Sequence, residues 1–146
     1  MTRRNLFIVL SVILGIVLTG VIRASGTNGV GQTPFVGFWE AIDSFDGSTQ
    51  RLSITCTSDK SCDVRLNDTA FSLSCSNQIG FAQGVGSIQG NALTVELTLS
   101  CSNLDGTSTP AGSQMNEFVL DPKNKTLTNQ NDDPVPVPNV FFKVSQ

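Results

Sequence analysis

The sequence predicts an all-β domain, an eight-stranded antiparallel up-and-down β-barrel, preceded by an N-terminal apolar helix that acts as a signal or an anchor. Three observations predict it. Apolar and polar residues alternate over short segments, turn-forming residues separate those segments, and an apolar run opens the chain. Most gaps between the predicted strands are too short for a helix, and no helix is predicted between any of them.

Residues 1–24 are predicted to be an export segment. Two arginines precede an apolar run from Leu6 to Ile22, which is the order found in a signal peptide. Ile22-Arg23-Ala24 is a poor version of the small-x-small cleavage motif, because Ile22 is bulkier than the residue usual at that position, and the apolar run is just long enough to span a bilayer. A cleaved signal peptide and an uncleaved anchor therefore both stay open, with the former favoured. Either one predicts a secreted or extracytoplasmic domain.

The charge of the remaining chain argues against nucleic acid as a partner. Of 9 basic and 12 acidic side chains, three basic ones (Arg3, Arg4 and Arg23) lie in the export segment, which leaves 6 against 12 and a net charge of −6. Residues 25–34 are small and polar and read as a flexible leader. Residues 35–146 are predicted to form the barrel, a single domain of modest size.

Strand positions follow from alternation, which is clearest from Ala92 to Ser100, where leucine or valine occupies every second position. The predicted strands are 36–43, 50–57, 61–67, 70–76, 81–89, 92–101, 115–121 and 139–145, with a weak extra piece at Lys125–Thr128. The predicted turns are Asp46–Ser48, Ser58–Lys60, Asn67–Thr69, Gln89–Asn91 and Asp121–Asn124. Within the predicted strand 81–89 and just before it, Gly80, Gly84 and Gly86 fall on one side, where they are expected to relieve crowding.

Short strands with one dry face each must form either a closed barrel or two packed sheets. Trp39 precedes all four cysteines, whereas immunoglobulin-type sandwiches place a tryptophan between two cysteines. Hairpins alone suffice for an up-and-down barrel, and closure removes the exposed sheet edges. The barrel is therefore the predicted architecture.

The four cysteines predict a disulfide framework in an oxidising compartment. Three pairings are possible, and spacing favours Cys56–Cys62, which flank a predicted turn, together with Cys75–Cys101. A zinc site is disfavoured because the cysteine gaps do not fit and the chain has no histidine.

Gly37-Phe38-Trp39 opens the first predicted strand and resembles the G-x-W motif of lipocalin and avidin-like (calycin-type) β-barrels. This resemblance, which covers the motif and the strand meander only, implies a lipocalin-like barrel whose closed end is filled by Trp39. Lipocalins typically carry an arginine on the last strand that packs over this ring. The last predicted strand here offers Lys143, which lacks the flat guanidinium that stacks on a ring. Avidin-type biotin sites use a tyrosine and several tryptophans, whereas this chain has no tyrosine and one tryptophan, so biotin is not the expected ligand.

No catalytic residue is predicted, and neither is a metal or another cofactor. Without histidine, Ser-His-Asp and Cys-His arrangements are impossible within one chain. A carboxylate-dependent hydrolase would need Glu40 with another acid, but Glu40 and Asp43 face opposite sides of a strand. Calcium sites at Asp43 with Asp46, or at Asp132 with Asp133, do not follow a known loop spacing.

The leading functional hypothesis is a secreted binding module that accepts a small apolar ligand inside the barrel or docks an extracellular protein on its surface. The alternative is a structural, envelope-displayed interaction domain, which would reach the membrane only through an uncleaved N-terminal helix. The candidate ligand-binding residues share a predicted interior position. They are Trp39, Leu52, Ile54, Val64, Leu66, Phe71, Leu73, Leu93, Val95, Leu97, Phe118 and Phe142.

Overall fold

The computed structural model describes residues 33–71, 74–130 and 138–145, and eight antiparallel strands in them form one closed barrel. Each strand pairs with the next along the chain, and the last pairs with the first. The strands are β1 (Gly37–Ile42), β2 (Thr49–Cys56), β3 (Ser61–Phe71), β4 (Gln78–Gln89), β5 (Ala92–Ser102), β6 (Ser108–Asp121), β7 (Thr126–Asn129) and β8 (Val140–Ser145). The predicted up-and-down barrel is confirmed.

The turn predicted at Asn67–Thr69 is wrong, because these residues lie within β3. Asn67 pairs with Arg51 on one side and with Phe81 on the other. The polar residues are accommodated by a register shift between Asp68 and Phe71, as a bulge permits in an antiparallel pair. One long strand therefore replaces the predicted pair 61–67 and 70–76, and residues 72–73 of the second lie outside the described part.

The weak piece at Lys125–Thr128 proves to be strand β7, which restores the count of eight. Strand β6 starts seven residues before the predicted start at 115. Its first half is mostly exposed, so it carries no alternation, and its pairing with β5 shifts register between Leu99 and Ser100. Gly112 lies opposite this shift with φ +108°, a backbone conformation that favours glycine.

Large apolar side chains occupy the barrel interior. At the end of the barrel where β1 begins, Trp39 is 1% exposed, and its indole Nε1 donates a hydrogen bond of 2.9 Å to the carbonyl oxygen of Phe35. Phe118 and Phe141 meet edge to face, with ring centroids 5.9 Å apart. Burying these rings supplies much of the apolar stabilisation of the fold.

Glycines on the inner face of β4 allow groups of the neighbouring strands to approach its backbone closely. A Cβ atom at Gly80 would collide with the ring of Phe71, and one at Gly84 would collide with the backbone oxygen of Glu96. A close approach of this kind is a common reason for glycine within a strand.

Both predicted disulfides are present. Cys56–Cys62 joins residues that face each other across the β2–β3 hairpin, and Cys75–Cys101 ties the β3–β4 connection to β5. Two disulfides are consistent with an extracellular or otherwise oxidising environment.

The predicted export segment lies outside the described residues, as does most of the predicted leader. Within the part of the chain that the structure does describe, no helix is long and apolar enough to cross a membrane.

Candidate binding site at the β1–β8 seam

Most of the side chains predicted to face the interior are buried there. Nine of the twelve are buried: Trp39, Leu52, Ile54, Val64, Leu66, Leu93, Val95, Leu97 and Phe118. Phe71 is half-buried and packs against this core, whereas Leu73 lies outside the described residues. No ligand contact follows from burial alone, since core packing produces the same pattern.

Phe142 is the exception, and its predicted interior position is wrong. Its side chain is 60% exposed, whereas Phe141 is fully buried. Two adjacent phenylalanines allow either phase of alternation, and the phase that buries Phe141 also turns Lys143 inward. The structure accommodates this lysine because it lies at the barrel end, where its Nζ donates to the Pro34 carbonyl oxygen at 3.3 Å.

The outward turn of Phe142 places it beside a gap between the first and last strands. Strands β1 and β8 are joined by only three residue pairs, of which Glu40–Phe142 is the last. Among the described residues, no backbone pair joins Ala41 or Ile42 to β8. Ala41 and Ile42 continue in register with β2, while Val140 pairs with Thr128 of β7. The two strands therefore diverge on the outer surface.

A groove of about 470 Å³ occupies this divergence, and we call it the seam groove. Its walls are Ile42 (64% exposed), Val140 (38%), Phe142 (60%) and Val144 (54%). The rest of its lining consists of Ala41, Pro138 and four polar residues, namely Glu40, Ser44, Thr49 and Asn139. Pockets for small ligands in proteins commonly have volumes of about 300–1,000 Å³ and mostly apolar walls with a few polar groups.

Asn139 links the seam groove to polar side chains inside the barrel at the end where β1 finishes. It is 1% exposed, and its Oδ1 accepts a hydrogen bond of 3.0 Å from the backbone N–H of Ser44. Its Nδ2 donates to Asp43 Oδ2 at 3.2 Å and to Gln50 Oε1 at 3.3 Å. These bonds hold the start of β8 against the β1–β2 connection, so the floor of the groove is fixed.

Glu40 and Asp43 lie on opposite sides of the barrel wall, as the alternation predicted. The Glu40 carboxylate is on the outer surface and accepts a 2.8 Å hydrogen bond from Arg51 Nε. The Asp43 carboxylate lies on the inner side, where the buried Gln50 donates to it through Nε2 at 2.7 Å. A hydrolase that needs two carboxylates around one bond is therefore not supported by this pair.

A second outer groove, of about 410 Å³, lies across β3, β4 and β5 and is more polar. Its lining includes Asp63, Arg65, Gln83 and Thr98, with Val85 as an exposed apolar side chain. It offers a comparison for the seam groove on the same molecule.

Comparison with known proteins gives no match: no family model, no curated protein and no solved structure is significantly similar to this chain. The closed eight-stranded barrel is consistent with a lipocalin-like fold. Membership of the calycin-type families stays a prediction that rests on Gly37-Phe38-Trp39 and the barrel.

Sequence reasoning missed the seam groove because it assigned β8 the wrong phase. The alternation of Val140, Phe142 and Val144 is real, but it marks an exposed apolar face. The sequence also contains the other alternating series of β8, Phe141 and Lys143, and this is the series that faces inward. An inward lysine is explained once Trp39 is known to lie beside it.

Proposed function

We propose that this chain is an exported binding module that holds a small apolar ligand in the seam groove. The observation that carries the proposal is the set of four large apolar side chains exposed around a groove of ligand-sized volume. A cluster of apolar side chains on a solvent-exposed face commonly marks an interaction site.

The barrel interior supports this ligand less well. It is filled by large side chains that include Trp39, Phe35, Phe118 and Phe141, and small barrels commonly fill their interiors with side chains. At the end where β1 finishes, the interior holds buried carboxylates and amides that already hydrogen-bond to one another, and an apolar ligand would offer them no hydrogen bonds in exchange. The outer groove carries neither cost.

Export is part of the proposal and rests on two features. The apolar run after two arginines has the pattern of a signal or an anchor. The two disulfides favour an oxidising compartment. A net charge of −6 beyond residue 24 favours neutral or cationic ligands over anionic ones.

The proposal is tested with a neutral alkyl diazirine as a photoreactive probe, followed by peptide mapping of the labelled sites. We expect labelling to concentrate on β1 and β8 peptides. Phe142→Ser should raise the probe concentration that gives half-maximal labelling about tenfold, because the loss of a large apolar contact costs on the order of 1.4 kcal/mol or more of binding free energy.

The matched control is Val85→Ser, which removes a similarly exposed apolar side chain from the second groove. Both variants keep the same N-terminal segment, so any labelling of that segment cancels in the comparison. Equal loss in the two variants, or labelling that persists in Phe142→Ser, would contradict a ligand site at the seam. Labelling that vanishes as protein concentration rises would instead indicate that a second copy covers the face.

A further inference from the structure

Two aspartates are bridged by one side chain inside the barrel, at the end where β1 finishes and on the two sides of β2. Asp68 is 2% exposed and faces Gln50 in the β2–β3 register. Asp43 is half-buried and follows β1. The Nε2 of Gln50 donates to both carboxylates, at 2.7 Å to Asp43 Oδ2 and at 3.0 Å to Asp68 Oδ2. One amide group therefore bridges two negative charges.

Among the described residues, the hydrogen-bond donors to these two carboxylates are all neutral groups. Asp43 also accepts from Phe45 N (2.7 Å) and Asn139 Nδ2 (3.2 Å), and Asp68 accepts from Ala70 N (2.9 Å). In the described ranges, neither carboxylate forms an ion pair with a lysine or an arginine. Buried charges in proteins are normally paired or coordinate a metal, because an uncompensated buried charge is costly. The cluster therefore lacks a positive charge.

Both carboxylates retain free acceptor positions for a cation. An ionised carboxylate offers about four acceptor positions. The hydrogen bonds above use two positions on Asp68 and three on Asp43. Acceptor positions remain on each side of β2.

Ser48 supplies an independent indication of a missing ligand. It is 7% exposed, and within the described part of the chain its Oγ has no hydrogen-bond partner. Ser48 lies opposite Asp43, whose backbone N–H donates to the Ser48 carbonyl oxygen at 2.8 Å. It precedes Gln50 by two residues, so both side chains fall on the inner face of the wall. A buried hydroxyl without a partner costs on the order of 1–3 kcal/mol.

We propose that Asp43, Asp68 and Ser48 form a binding site for a divalent cation, Ca²⁺. All three offer oxygen ligands, which Ca²⁺ prefers, and water completes its six to eight positions. Gln50 donates to both carboxylates and Asn139 donates to that of Asp43, so the two amides fix the positions of the carboxylates. The cation site shares Asn139 with the lining of the seam groove, but none of its three proposed ligands lines that groove, so it does not depend on a ligand there.

The ligand set explains why no spacing rule finds this site. Its members come from the β1–β2 connection and from β3, and residues 44–47 and 49–67 separate them in sequence. Among the described residues, no group of three or more His, Cys, Asp or Glu is arranged for a metal. Two carboxylates with a neutral hydroxyl and water are the donor set of a weak oxygen site, of the kind that millimolar extracellular Ca²⁺ fills.

The test is thermal unfolding of the full chain after dialysis against a chelator. We expect CaCl₂ to raise Tm by several degrees over KCl of matched ionic strength, since a ligand that binds only the folded state stabilises it. Asp68→Asn should abolish this rise. It should leave the Tm in chelator at or above that of the wild type, because one of two like charges is gone.

Asp63→Asn is the matched control, since Asp63 is an exposed acid on the same strand. It should keep the full response to Ca²⁺. Ser48→Ala should shift the midpoint of the Ca²⁺ titration several-fold to higher concentration without a change of charge. A Tm that rises equally with KCl, or a response that Asp68→Asn retains, would overturn the proposal. A rise with methylammonium and none with Ca²⁺ would also overturn it and would assign the cluster to an organic cation.

Discussion

The ammonium nitrogen of Lys143 lies 5.0 Å from the centroid of the Trp39 ring, at the end of the barrel where β1 begins. The same nitrogen donates to the carbonyl oxygen of Pro34, while the indole of Trp39 donates to that of Phe35. The two side chains thus bind the backbone of the segment that precedes β1 to this end of the barrel. Burial and then the charge of Lys125 lower the pKa of Lys143. A lysine therefore packs over the tryptophan although it has no planar guanidinium.

Lys143→Met should lower the free energy of unfolding by about 1 kcal/mol. The methionine keeps an apolar stem over the ring, but it loses the cation–π attraction, which is worth about 0.5–2 kcal/mol, and the hydrogen bond to Pro34. Lys143→Arg should lose much less, because a guanidinium both stacks and donates. Urea unfolding followed by Trp39 fluorescence measures both. Equal stability of the methionine variant and the wild type would contradict a stabilising contact.

Phe141→Ala should cost about 3–5 kcal/mol, the range for a fully buried phenylalanine, because it removes one ring of the Phe118 pair and leaves a cavity. Phe142→Ala should cost less than about 1 kcal/mol, since its side chain is already largely in water. Parallel denaturant titrations compare the neighbours directly. The reverse order would mean that β8 has the opposite phase.

These two residues show how far alternation carries a sequence-based prediction. It located β8 and the barrel because period two does not depend on which series faces inward. It failed on the phase, since an inward lysine is disfavoured until its neighbour is known. Asp68 was missed for a related reason: three polar residues in sequence predict a turn, whereas the β3–β4 register shift keeps them in a strand. Contacts between distant strands decided both cases.

Gly80→Ala should destabilise the barrel by about 1–3 kcal/mol, because the added methyl group collides with the Phe71 ring. Phe71→Leu should relieve part of this cost in the double variant, since a smaller side chain gives room. Gly84→Ala meets the backbone oxygen of Glu96 instead, so a side-chain change offers no relief. A double-mutant cycle on unfolding free energies tests the coupling. Purely additive costs at positions 71 and 80 would rule the collision out.

The two disulfides should contribute unequally. Cys75–Cys101 closes a segment with a sequence separation of 26, whereas the separation for Cys56–Cys62 is 6. Chain-entropy estimates give about 3.5 kcal/mol for the longer loop and about 2 kcal/mol for the shorter one. Replacing each pair with serines and measuring unfolding should therefore show the larger loss for Cys75 and Cys101. A larger loss at the hairpin pair would indicate that packing around Cys56 outweighs loop entropy.

Asp121 predicts a specific acid sensitivity at the β6–β7 turn. The backbone N–H of Asn124 first, and then its side-chain amide and the N–H of Lys123, lower the pKa of this carboxyl. A lowered pKa in the folded state means that the stabilisation is complete above the usual carboxyl pKa near 4 and disappears as the pH falls through the lower, folded value. Asp121→Asn should thus be less stable than the wild type at pH 7, with the difference shrinking below about pH 4. Denaturant midpoints measured from pH 7 to pH 2 provide the comparison. Asp121 is half-buried and its hydrogen bonds lie at the surface, so the effect is small. A constant gap between the two proteins across this range would show that the turn stabilises the barrel by shape and not by charge.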